Sequence, residues 1–262
     1  MAEPQIRFED GAAYDRMMGV WSRLTAEIFL DWLAPPPGWR WADIGCGSGA
    51  FTQMLFERCA PAAVHGVDPS LAQLAFARAR GLPETAHFRQ GDATALPLPD
   101  SSVDAAVMAL VIFFVPDPAK GVAEMVRVVR PGGVVAAYAW DLLGGGHPAQ
   151  PIPAELRAMG VQAMRPPSAA ASRIQALQEL WAGAGLEAVE TRQITVSRTF
   201  ADFEDFWTTN LMGSSIGPTV AAMPADQAEA LKARVAARMP AGEVGRVTCV
   251  GRANAVKGRL PG

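Results

Sequence analysis

The chain has 262 residues, half of them hydrophobic, with 23 basic against 26 acidic side chains and a formal net charge of −3. That length accommodates one α/β domain with an additional lid and a sizeable core. The near-neutral charge and a pI near 5.7 exclude the basic stripe of a nucleic-acid binder. Cys46, Cys59 and Cys249 are odd in number and lack Cys-x-x-Cys spacing, which argues against a disulfide frame or a zinc site, so no metal is expected.

The first ten residues are polar and acidic where a signal peptide would be cationic and then apolar. The longest apolar run, 103–115, is shorter than the ~20 residues a bilayer crossing needs. A cytoplasmic protein without a membrane span is therefore expected. A helical segment is predicted from Tyr14 to Trp32, stopped by the turn Pro35-Pro-Pro-Gly38. Strands follow at Trp39 to Ile44, Ala63 to Val67, Ala86 to Gln90, Val103 to Leu110 and Val134 to Ala139. They alternate with helices near Ala50 to Cys59, Leu71 to Arg80 and Pro118 to Val129, an order that predicts a parallel, doubly wound sheet. After a Gly-rich exit, Leu142 to Pro148, the stretch Pro151 to Pro167 reads as a lid. A helix (Ser172 to Ala184), a long strand (Leu186 to Phe200), two helices (Asp202 to Met212, Pro224 to Met239) and a final antiparallel strand (Arg246 to Lys257) complete the chain.

Three stretches carry chemistry. In Arg40-Trp-Ala-Asp-Ile-Gly-Cys-Gly-Ser-Gly-Ala-Phe51 an acid at a strand end runs into three alternating glycines and a helix. Gly45, Gly47 and Gly49 allow a sharp turn that brings ligand to backbone at a helix N-terminus. Gly45-x-Gly47-x-x-Ala50 also satisfies the dinucleotide fingerprint, and Asp68 follows at about the ~20-residue offset of a ribose-binding acid. Asp43 separates the readings, since a carboxylate there repels a pyrophosphate and suits a cationic ligand. In Gln90-Gly-Asp92-Ala-Thr-Ala-Leu-Pro97 a second strand-end acid can accept from an exocyclic amine. Val128-Val-Arg130-Pro-Gly-Gly133 stops a helix and leads into an apolar strand. Asp68 and Asp92 also suit helix or turn capping, which is compatible with binding. Asp104, at the start of its strand, reads as solvated or capping.

With these motifs in this order, the chain resembles the class I S-adenosylmethionine-dependent methyltransferases, specifically the group that includes the ubiquinone/menaquinone-biosynthesis C-methyltransferases. The resemblance runs from about Tyr14 to Trp140. It implies a Rossmann-like, seven-stranded α/β sheet, mostly parallel with an antiparallel last strand, carrying helical lid insertions. One methyltransferase domain is expected over 1–262: a core at about 38–141, an N-terminal helical segment 1–37, lid and substrate-wall segments at about 142–171 and 201–240, and a closing strand at about 246–257. The implied cofactor is S-adenosylmethionine, released as S-adenosylhomocysteine. Gly45, Cys46 and Gly47 would approach its methionyl part and Asp43 its ammonium. Asp68, beside Pro69, would bind the ribose hydroxyls, Asp92 with the Ala93 N–H the adenine edge, and Ala109 and Leu110 would touch the cofactor from the fourth strand.

The implied reaction is methyl transfer to a small, partly apolar molecule, held in line with the methyl by proximity and orientation. Tyr14, Trp21, Phe113, Phe114 and Trp207 are candidate substrate walls. Where many relatives place histidines after the fourth strand, this chain has Ile112-Phe113-Phe114. His65 and His87 precede strands at the opposite end, leaving His147 as the one candidate base on the cofactor edge. An NAD(P)-binding oxidoreductase and a non-catalytic S-adenosylmethionine-binding protein are the alternatives.

Overall fold

The computed structural model describes residues 15–161, 165–213, 216–239, 242 and 245–262, so Tyr14 lies outside the described residues. A π-helical turn, Asp15–Gly19, leads into α1 (Val20–Leu33), which ends on Ala34 in a left-handed conformation just before the triple proline. The Rossmann-like half follows as β1 (Arg40–Ile44), α2 (Ala50–Cys59), β2 (Ala63–Asp68), α3 (Leu71–Arg78), β3 (Ala86–Gln90), β4 (Val103–Ala109), α4 (Pro118–Val128) and β5 (Val129–Trp140). The remainder holds α5 (Pro151–Ala158), α6 (Ile174–Gly183), β6 (Glu187–Phe200), α7 (Phe203–Leu211), α8 (Ile216–Ala221), α9 (Ala225–Arg238) and β7 (Val247–Arg259).

The seven strands form one sheet in the order β3-β2-β1-β4-β5-β7-β6. β1 to β5 pair in parallel, and β7 runs antiparallel between β5 and β6. Chain order reverses between β1 and β4, which makes the carboxyl ends of these strands the topological switch point where open α/β sheets bind ligands. β4 reads Val-Asp-Ala-Ala-Val-Met-Ala and is buried along nearly its whole length, as a central parallel strand covered on both faces must be. Caps fix the helix starts: Ser70 accepts from Gln73 N, Asp117 from Lys120 N before Pro118, and Asp202 from Asp205 N, each worth ~1 kcal/mol.

Several expectations need correction. β5 begins at Val129 rather than Val134, and the β4–β5 register shifts between Val103 and Ala105. Arg130-Pro-Gly-Gly133 forms this irregularity. A Cβ on Gly133 would lie 2.6 Å from Asp104 O, which is why glycine stands there. Asp104 is neither solvated nor a cap. It is 9% exposed, accepts the Arg40 N–H at 2.7 Å and pairs with Arg130 Nε at 2.6 Å. Burial pushes its carboxyl up, but these donors outweigh that and hold it below the usual carboxylate range. His65 and His87 do not precede strands; they sit side by side within β2 and β3, stacked at 5.2 Å. The Gly-rich exit from β5 is pinned to β7: Asp141 takes Arg252 Nη2 at 2.9 Å and the Gly144 N–H at 2.9 Å. Within the expected lid, 151–158 is the helix α5, and α8 is a further helix that the periodicity did not suggest.

Candidate cofactor and active site

Asp43 is the fourth residue of β1, flanked in register by Gly66 of β2 and Val107 of β4, and fully buried. Thr52, in the first turn of α2, donates to its Oδ2 at 2.6 Å, while Oδ1 is buried without a partner. Burial raises the carboxyl to about 7, opposed by the Thr52 hydrogen bond and reinforced by the nearby Asp68. A buried oxygen with an unfilled lone pair at a ligand-binding edge is a receptor for a cation or a water.

The loop after β1 is held in one shape by contacts on its far side. Gly45 has φ +71°, and a Cβ there would collide with the Val111 side chain at 2.5 Å. Gly45 and Cys46 both donate their N–H groups to Val67 O, at 2.7 and 3.1 Å. The Cys46 thiol is turned inward against Gly66, and burial pushes its pKa up, followed by the charges of Asp43 and Asp68. Only its backbone is available to a ligand. Around Gly47 the space is open: a Cβ there would find no neighbour closer than 3.9 Å. Arg80 ties the back of the loop, donating to Ser48 O, to Ser48 Oγ at 3.2 Å and to Gln53 Oε1 at 2.8 Å.

Asp68 closes β2 beside this loop. Its Oδ2 accepts the Gly47 N–H at 2.9 Å and its Oδ1 the Ser70 N–H at 2.8 Å. Burial raises its pKa despite these bonds. Each carboxylate oxygen has a second lone pair, so the acid both shapes the loop and keeps acceptor capacity. Pro69 is exposed, its carbonyl taken by Gln90 Nε2 at 3.0 Å. Asp92 is exposed at the turn after β3, with Oδ1 accepting Thr94 N at 2.7 Å and Thr94 Oγ1 at 2.6 Å; Ala93 is half-buried beside it. Ala109 ends β4, and Leu110 leaves it at φ +63° with its N–H on Tyr138 O. The orphaned Asp43 oxygen, the open face at Gly47 and the acceptor capacity of Asp68 fit a ligand with a cationic end and vicinal hydroxyls.

The aromatic residues divide differently from expectation. Trp21 is 2% exposed and edge-on to Trp140 at 6.3 Å, so it belongs to the core rather than a substrate wall. Phe113 and Trp207 are also buried, against Phe114 at 4.6 Å and Phe203 at 6.1 Å respectively. Phe114 is half-buried and is the one described wall candidate with appreciable surface. His147 is half-buried beside Trp140 at 6.4 Å, and its Nδ1 accepts the Ala149 N–H at 3.1 Å. Burial lowers its pKa to about 4, leaving a neutral ring whose acceptor nitrogen is already occupied. Thr52, Val111 and Arg80 are site residues that sequence reasoning missed. A threonine in the first turn of the post-loop helix was the one readable signal among them.

Residues 42–137 match the family described as "Methyltransferase domain". This segment carries a class I S-adenosylmethionine-dependent methyltransferase domain. Across 104 residues it is 42% identical to an uncharacterized methyltransferase of Mycobacterium tuberculosis, covering 40% of this chain and 41% of that protein. The chain thus spans about two-fifths of the length of the curated relatives it matches. Its fold is similar to the YcgJ protein from Bacillus subtilis, with TM-score 0.61 at 18% identity over 91% of this chain and 98% of that one. It is also similar to a Haemonchus contortus phosphoethanolamine N-methyltransferase in complex with S-adenosyl-L-methionine, with TM-score 0.59 at 17% identity over 96% and 57% of the two chains. Among the described residues no group of three or more His, Cys, Asp or Glu is placed to hold a metal ion. No described helix is long and apolar enough to cross a membrane.

Proposed function

We propose that the chain binds S-adenosylmethionine and transfers its methyl group to a small, partly apolar molecule by in-line displacement. The observation that carries this reading is the buried, half-partnered carboxyl of Asp43 at the end of β1, one strand from Asp68. A pyrophosphate would meet repulsion there, which disfavours the dinucleotide reading of the glycine loop. The sulfonium of the bound cofactor supplies a methyl group already activated toward nucleophiles.

Asp43 would receive the ammonium, directly or through water, and Asp68 the ribose hydroxyls. The backbone of Gly45, Cys46 and Gly47 would line the methionyl part, with Pro69 beside the ribose. Asp92 and the Ala93 N–H would take the adenine edge, and Ala109 and Leu110 would lie against the cofactor from β4. Phe114 would help exclude water from the acceptor. Proton removal is not assigned to His147, whose Nδ1 is occupied by a backbone donor. A methyltransferase should form S-adenosylhomocysteine from S-adenosylmethionine when supplied with a fractionated small-molecule extract, as measured by mass spectrometry. Tight binding without turnover in any fraction would favour the non-catalytic binding protein instead.

A further inference from the structure

The segment 91–100 between β3 and β4 has no regular secondary structure beyond a bridge between Asp92 and Ala95, yet it must present the Asp92 carboxylate in one place. Three of its backbone polar groups, the Leu96 N–H and the Leu96 and Leu98 carbonyls, are satisfied by side chains of α4. Arg127 Nη2 donates to Leu96 O at 3.0 Å and Nη1 to Leu98 O at 2.9 Å. The same Nη1 reaches Asp100 Oδ1 at 2.6 Å. Glu124, three residues earlier on α4, binds Arg127 through both oxygens, at 2.7 Å each, and accepts the Leu96 N–H at 2.7 Å. Arg89 adds one bond to Pro97 O at 3.3 Å. Leu96 and Leu98 are buried beneath. One guanidinium fork therefore fixes two carbonyls of the loop, and Glu124 fixes both the fork and the Leu96 N–H. Only a planar, multi-donor side chain does this; an ammonium cannot span the same acceptors in fixed geometry.

We propose that Arg127 and Glu124 are positioning residues for adenine recognition, holding the 91–100 loop so that Asp92 meets the exocyclic amine. This rests on the cofactor reading above. Arg127 touches no ligand; its effect passes through the loop, so it acts on discrimination between purines rather than on methionyl binding.

The test compares calorimetric affinities for S-adenosylhomocysteine and its 6-oxo analogue, S-inosylhomocysteine, in wild type, Arg127→Met, Arg127→Lys and Glu124→Gln. Wild type should prefer the 6-amino compound tenfold or more. Both Arg127 variants should lose most of that preference, with the 6-oxo affinity changed no more than about twofold, and lysine should not rescue. Glu124→Gln should lose part of it, and decides the matter alone should the Arg127 variants fail to fold. Variants that keep the wild-type preference, or weaken both ligands equally, overturn this inference while leaving the cofactor reading intact. A wild type that binds neither compound overturns the cofactor reading and this inference together.

Discussion

Asp43 has a folded-state pKa of about 7 because burial outweighs the Thr52 hydrogen bond. A carboxyl whose folded pKa lies above its unfolded value of 3.8 favours folding while protonated, so this contribution declines as pH rises from about 4 to about 7. A cationic ligand has the opposite sign, because it binds the ionised form. Affinity for S-adenosylhomocysteine should therefore rise with pH, approaching tenfold per pH unit well below 7, and flatten above it. Asp43→Asn should remove the slope and weaken binding at neutral pH; a wild-type profile flat from pH 5 to 7.5 would refute the ammonium assignment. His147 poses the opposite problem. Its ring stays neutral and its Nδ1 is engaged, so once an acceptor is known His147→Ala should leave kcat within about threefold. Phe114→Ala should cost more, since positioning contributes about 7–11 kcal/mol in total, against about 10²- to 10⁴-fold for a general base. A hundredfold loss for His147→Ala, together with loss of an ionisation near neutral pH, would make it the base.

At the scale of elements, the Arg130-Pro-Gly-Gly133 stretch belongs to the fold and not to the cofactor edge. Gly133 sits against Asp104 O and Val129 at the start of β5, at the opposite end of the sheet from the proposed cofactor edge. Gly133→Ala should destabilise the protein by about 1–3 kcal/mol in urea unfolding through overpacking and leave S-adenosylhomocysteine affinity unchanged. A loss of affinity without a loss of stability would move this segment back to the site. β1 to β5 and their helices were legible because hydrophobic runs, Gly/Pro punctuation and caps all agree there. Asp104 was not, because its partners Arg40 and Arg130 reach it only through strand pairing, across separations of 64 and 26 residues. Trp21 was misplaced for a related reason: an aromatic side chain gives the same sequence signal whether it packs on Trp140 or lines a pocket.

For the whole molecule, the parallel order β3-β2-β1 brings Asp43, near the end of β1, Asp68, the last residue of β2, and Asp92, just after β3, to the carboxyl ends of three neighbouring strands. That convergence was readable from motif order. The loop supports were not, since Arg80 and Arg127 bond to backbone carbonyls that carry no sequence signature. The central claim is that this edge receives S-adenosylmethionine rather than a dinucleotide. Its most direct test is a thermal unfolding series with S-adenosylhomocysteine, NAD and NADP, each in excess. A ligand at a hundredfold excess over Kd stabilises the native state by about 2.7 kcal/mol, roughly a 5–10 °C rise in Tm for a chain of this size. S-adenosylhomocysteine should produce such a rise and the dinucleotides none; a rise with NAD or NADP alone would contradict the account.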